Sequence, residues 1–144
     1  MTIEMVRTFY HDILKRILLL EIEKKETARR ILVLKSDTDR LPLMRDFLQA
    51  DLTKHQLLEQ VTVSAMQNQV FEVLDQIGRF YSSADGISQI ECIRTEITRC
   101  ESMLALVDKS IKHPRTCTFF ERRILRDVNR LVISQARDYS KTDF

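Results

Sequence analysis

The sequence predicts an all-α protein, an elongated antiparallel bundle of four helices, two long and two shorter, with coiled-coil-like packing. Three observations carry this. Glycine and proline occur only twice each in 144 residues, against an average usage of about 7% and 5%, which leaves little material for hairpins, glycine loops or linkers. Apolar residues recur every three or four positions along most of the chain, the repeat of one helix face. The composition is 44% hydrophobic and 31% charged, enough apolar surface for a core and enough charge for a solvated exterior. The length fits one domain over residues 1–144, since single cores are usually built from about 100 to 200 residues.

The first helix is expected over about residues 3–36. Ile3, Val6, Tyr10, Ile13, Ile17 and Leu20 form a heptad seam, and Ile31, Leu34 and Leu41 return in the same phase. Lys24 and Thr27 interrupt the seam, so packing there should be looser, wetter or turned toward something else. Acid-before-base pairs four apart, Asp12 with Arg16, Glu21 with Lys25 and Glu26 with Arg30, add about 0.2 to 0.5 kcal/mol each.

Ser36, Asp37, Thr38 and Asp39 have side chains that bind local backbone, and Pro42 suits a first helical turn but not a helix interior. A turn is therefore expected before a second helix over about residues 43–81. Within it Met44, Phe47, Leu58 and Val61 keep one phase, whereas Met66, Val70, Val73, Ile77 and Phe80 keep another. The shift between Gln49 and Gln60 suggests a change of packing partner. Gly78 weakens the last turn, and Ser82 to Gly86 reads as a loop.

A capping box of Ser88 and Glu91, with Ile87 as the outer half of a hydrophobic staple, opens a third helix over about residues 88–112. Its seam, Ile90, Ile93, Ile97, Cys100, Leu104, Val107 and Ile111, has no miss. His113 before Pro114 should end it, because the residue before proline is pushed out of the α region. The alternative is a kink near Pro114, which would give three long helices with the third bent. Thr118 and Glu121 make a second capping box for a fourth helix over about residues 118–139, with Phe120, Ile124, Val128, Leu131 and Val132 on its inner face. The unequal lengths would leave roughly 15 to 20 Å of the first hairpin uncovered.

Several function classes are excluded or disfavoured by composition. No apolar run approaches the roughly 18 residues of a membrane span, and Met1 to Tyr10 lacks a signal-peptide pattern. Cys92, Cys100 and Cys117 are odd in number and show no CxxC spacing, which fits free thiols in a reducing compartment. An intracellular, cytoplasmic protein is expected. No phosphate-binding loop, dinucleotide fingerprint, HExxH, GxSxG or Glu-x-x-His pair occurs. His11, His55 and His113 lie far apart and read as surface histidines, and Cys100 reads as a small core hydrophobe. No catalytic residue, cofactor or metal is expected, and the chain reads as a non-enzyme.

One polar surface stands out. Arg115, Arg122, Arg123, Arg126, Arg130 and Arg137 fall within roughly a 100° sector at 100° per residue, opposite the apolar face of the fourth helix. Arginine suits bidentate contact with phosphate or carboxylate, so the stripe is a candidate contact for nucleic acid, an acidic partner or a lipid surface. The plainer account is a solvated charged face, favoured by a net charge of only +2 and by the lack of interleaved aromatics. Phe9, Leu14, Leu18, Phe47 and Leu58 form a candidate partner-helix face. The leading expectation is a protein–protein interaction module, a small helical subunit, adaptor or chaperone of a larger assembly, that binds another helical protein or a second copy of itself through apolar helix faces. The alternative is a nucleic-acid or anionic-surface binder using the arginines.

Overall fold

The computed structural model describes residues 3–70 and 86–142. Among them the chain forms four α-helices and no strand: α1 (Ile3–Val33), α2 (Asp37–Gln67), α3 (Gly86–Lys112) and α4 (Phe119–Ser140). Along α1 the seam packs as its spacing requires. Tyr10, Ile13, Ile17 and Ile31 are buried, and so are the two polar interruptions, Lys24 and Thr27.

The second helix starts six residues before its expected position. Asp37 and Asp39 lie in its first turn, where their charge favours the positive end of the helix dipole. The reversal from α1 is held by Arg40, whose Nε donates to the Leu34 carbonyl at 3.0 Å and whose Nη1 donates to Asp37 Oδ1 at 3.0 Å. Pro42 consequently sits inside the helix, where its missing N–H leaves the Thr38 carbonyl without the usual donor. The helix also ends early. Asn68 Nδ2 donates to the Ser64 carbonyl at 2.9 Å, and Gln69 at φ 56° enters the left-handed region that stops an α-helix. The expected continuation through Val73, Ile77, Gly78 and Phe80, the loop from Ser82 to Asp85 and the side chain of Ser88 lie outside the described residues.

Helix α3 begins at Gly86, two residues before the cap expected at Ser88. Pro114 breaks the chain rather than kinking it, so the three-helix alternative is ruled out. His113 leaves the helical region at φ −138° and ψ 60°, and Pro114–Thr116 forms one 3₁₀ turn. Thr118 then opens α4 with the complete capping box: its hydroxyl accepts from the Glu121 N–H at 3.1 Å, and Glu121 Oε1 accepts from the Thr118 N–H at 3.1 Å.

Around the bundle α2 lies between α1 and α3, α1 also packs on α4, and α3 touches α4 little. The last two are joined beside their connecting turn, where the Lys109 ammonium lies 2.8 Å from Glu121 Oε2. In this central position Met44, Phe47, Leu58 and Val61, the first of the two expected phases, are all buried; of the second phase only Met66 falls within α2, and Val73, Ile77 and Phe80 lie outside the described residues.

The core has two apolar clusters. One joins Tyr10, Ile13 and Ile17 of α1 to Leu57, Leu58, Val61 and Ala65 of α2 and Ile93 of α3. The other draws on all four helices, through Ala28, Ile31, Met44, Phe47, Leu48, Val107, Val128, Val132 and Ala136. Helix lengths of 31, 31, 27 and 22 residues are less unequal than expected. Yet α4 ends level with Lys25, whose ammonium donates to the Thr142 carbonyl, so it covers the second cluster only. Beyond its end Met5, Phe9, Leu18 and Leu19 of α1 are exposed. Phe120 and Ile124, expected on the inner face of α4, are exposed too. They lie roughly 80 to 120° round the helix from the buried arc of Val128, Val132 and Ala136.

Candidate functional site

Between the two apolar clusters all four helices contribute to a layer of buried polar side chains. Lys24 of α1 is 3% exposed. Its Nζ donates to Asp51 Oδ1 of α2 at 2.5 Å and to the Tyr139 hydroxyl of α4 at 2.5 Å, and lies 4.0 Å from the Tyr139 ring centroid. The Tyr139 hydroxyl donates in turn to Glu21 Oε1 at 3.1 Å, and Lys54 Nζ pairs with that same oxygen at 2.7 Å. Glu21, expected to pair with Lys25 one turn on, thus faces inward and pairs with Lys54 of α2. The Cys100 thiol of α3 donates to Asp51 Oδ2 at 3.2 Å. One turn beyond Asp51, His55 Nδ1 lies 2.6 Å from the Asp51 carbonyl oxygen and 3.4 Å from Oδ1. Buried charge is tolerated in such a layer because each ion meets an opposite charge and hydrogen-bonding groups.

The electrostatics follow from burial set against pairing. Burial pushes the Lys24 ammonium below its ordinary value, although Asp51 beside it acts the other way. His55 is likewise pushed down by burial, against the pull of Asp51. For Asp51, burial acts upward, but Lys24, His55 and the thiol hydrogen bond together outweigh it and hold the carboxyl below the usual carboxylate range. Burial drives the Cys100 thiol far up, and the neighbouring carboxylate adds to the effect. This thiol bonds to a carboxylate and not to the imidazole, the opposite of an activated thiolate.

Where α3 and α4 diverge, a cleft opens onto this layer. Lys24, Asp51 and His55 line it together with Cys92 and Glu96 of α3 and Gln135 and Asp138 of α4. Ligand atoms of Asp51, His55 and Cys100 all lie within 4.8 Å of one another, and the oxygen, nitrogen and sulfur they offer suit a zinc-type ion. His55 therefore corrects the expectation of a surface histidine, while His11 and His113 are exposed. Two signals in the sequence pointed here: the break in the α1 seam at Lys24, and the one-turn spacing of Asp51 and His55. Cys100 is buried as its seam position requires, and all three thiols are free.

The outer face of α4 is the second surface. Arg122, Arg123, Arg126, Arg130 and Arg137 are exposed along it, with Arg115 exposed in the preceding turn. Among the described residues no carboxylate lies within ion-pairing distance of any of the six. Phe119 falls in the middle of this arc at 100° per residue, so an aromatic does interleave with the arginines. Of the candidate partner-helix face, Phe9 and Leu18 are exposed and Leu14 is half-buried against the first cluster. Phe47 and Leu58 are fully buried in the protein's own core, because α2 is central, and they are withdrawn as partner contacts. No helix among the described residues is long and apolar enough to cross a membrane. No protein-family model, curated protein or solved structure matches the chain.

Proposed function

We propose that the chain is a non-enzymatic protein–protein interaction module, a small helical subunit or adaptor of a larger assembly, that receives an acidic amphipathic helix of another protein along the outer face of α4. One observation carries this reading. Phe119 and Phe120 are 75% and 73% exposed, their rings 6.2 Å apart edge to face, on a helix whose outward arginines have no carboxylate partner among the described residues. Aromatic residues and arginine are the types that dominate binding energy at interfaces, and adjacent exposed aromatics form a patch where single ones do not. Arg122 to Arg137 span about 22 Å, the length of a four-turn helix, and their charge selects an acidic occupant. The non-enzymatic part rests on the buried layer, where the thiol is protonated and each charge already serves a structural partner.

A second reading, single-stranded nucleic acid, is favoured by the position of Phe119, because an aromatic among arginines is a stacking platform. Anisotropy titrations with a labelled Glu/Leu-rich helical peptide and with a labelled single-stranded oligonucleotide, each over a salt series, separate the two. The expected result is peptide binding that weakens only moderately as salt rises, through screening of the exposed arginines, and is lost in Phe119→Ala/Phe120→Ala. Oligonucleotide binding that falls steeply with salt would install the second reading instead. Peptide binding indifferent to both phenylalanines would overturn the first.

A further inference from the structure

Helices α2 and α3 run antiparallel, as the pairings of Arg45 with Asp108 and of Glu59 with Arg94 require. Each carries two metal-competent side chains one turn apart, Asp51 and His55 on α2, Glu96 and Cys100 on α3. Cys100 lies level with Asp51, so the antiparallel direction sets Glu96 level with His55, and both line the same cleft. We propose that Asp51, His55, Glu96 and Cys100 form a structural site for a divalent thiophilic metal of the zinc class, clamping α2 to α3.

The three buried members of the set already stand close to the spacing such an ion needs. Tetrahedral zinc with bonds of about 2.0 to 2.3 Å sets its ligand atoms roughly 3.3 to 3.5 Å apart. Here Cys100 Sγ and Asp51 Oδ2 are 3.2 Å apart, and ligand atoms of Asp51, His55 and Cys100 lie within 4.8 Å of one another; His55 Nδ1 stays hydrogen-bonded to the Asp51 carbonyl at 2.6 Å, which leaves Nε2 as the nitrogen that ligates. Glu96 is half-buried and paired with Arg99 at 3.5 Å, and it turns from that pair to complete the set. Lys24 is the competing cation, but it holds Oδ1 while the thiol faces Oδ2. A metal on Oδ2 leaves Lys24 in place as an outer partner that orients the carboxylate. On binding, the Cys100 S–H bond is replaced by a sulfur–metal bond and the proton leaves to solvent. Four protein ligands leave no open position, the character of a structural centre, and the site is independent of the α4 surface.

The test uses the full chain, stripped with chelator and titrated with Co²⁺ as a spectroscopic probe. Expected are saturation at a single equivalent, the intense visible bands of tetrahedral cobalt, a near-ultraviolet thiolate charge-transfer band, and displacement of all three by Zn²⁺. Cys92→Ser and Cys117→Ser should leave the spectrum unchanged, and Cys100→Ser should remove the charge-transfer band. His55→Ala should weaken binding by more than the about 10- to 100-fold typical of losing an outer partner. Circular dichroism checks each variant, and if Cys100→Ser does not fold, the half-exposed Glu96→Gln supplies the measurement, with an expected loss of at least about tenfold. Absence of tetrahedral bands, a charge-transfer band that survives Cys100→Ser or disappears in Cys92→Ser, or unchanged affinity in Glu96→Gln would overturn the proposal.

Discussion

Asp51 accepts from Lys24 and from the Cys100 thiol and stands beside His55, so its loss strands a buried ammonium. Asp51→Ala is expected to destabilise the fold by about 3 to 5 kcal/mol, read as a lower urea midpoint. The double replacement Lys24→Met/Asp51→Leu should recover much of this, since both desolvation costs vanish together. A double variant as unstable as the single would show that the layer stabilises by more than charge pairing. The same residues set a pH dependence. His55 is held below its ordinary value of 6.5 by burial, so below that pH the unfolded chain takes up a proton that the native state resists. Stability therefore rises with pH, is complete with respect to His55 above about 6.5, and is lost as pH falls below it. Lys24, also pushed down, acts in the same direction at higher pH, and the Asp51 contribution is lost only below about 3.8. Thermal midpoints of chelator-treated protein on either side of pH ~6.5 should differ, and the difference should shrink in His55→Phe.

At the scale of elements, local signals were legible where the determinant is itself local. The Thr118–Glu121 capping box needs only residues three apart, and it forms as the spacing predicts. Thr118→Ala is expected to cost about 0.5 to 2 kcal/mol in urea unfolding, with helical content otherwise retained. Pro114 ends α3 because the preceding residue is driven from helical angles, again a nearest-neighbour effect. The start of α2 was misread because Asp37 to Asp39 suit a turn and a helix N-terminus equally well. Arg40, reaching back to the Leu34 carbonyl, decided between them. The inner face of α4 was misjudged by about one residue in six turns of phase, because periodicity gives the width of an apolar arc but not the direction of the helix that covers it.

At the scale of the whole molecule, the arrangement is two apolar clusters separated by an ionic layer, with α4 closing only one of them. The arginines of α4 lie outside that arrangement. Arg122→Gln/Arg126→Gln/Arg130→Gln should therefore leave the circular dichroism spectrum and the thermal midpoint almost unchanged, while weakening any acidic ligand of α4. A large drop in midpoint would place these side chains in contacts that the fold does not give them. Phe119→Ala should be equally silent for stability, whereas Phe47→Ala, fully buried between α1 and α4, falls in the range of about 3 to 5 kcal/mol for loss of a core aromatic.

Helical class, the four helices among the described residues, the Thr118–Glu121 cap and the stop at Pro114 were determined by the sequence alone, because a 3.6-residue repeat and a cap are each read within a few residues. Which apolar side chains face a partner and which face the core was decided only by tertiary structure: Phe47 and Leu58 look like Phe9 and Leu18 until α2 is placed between its neighbours. The same holds for the Asp51, His55 and Cys100 cluster. Its members are separated by up to 49 residues, and no spacing rule along one chain records which turn of α2 will stand level with which turn of α3.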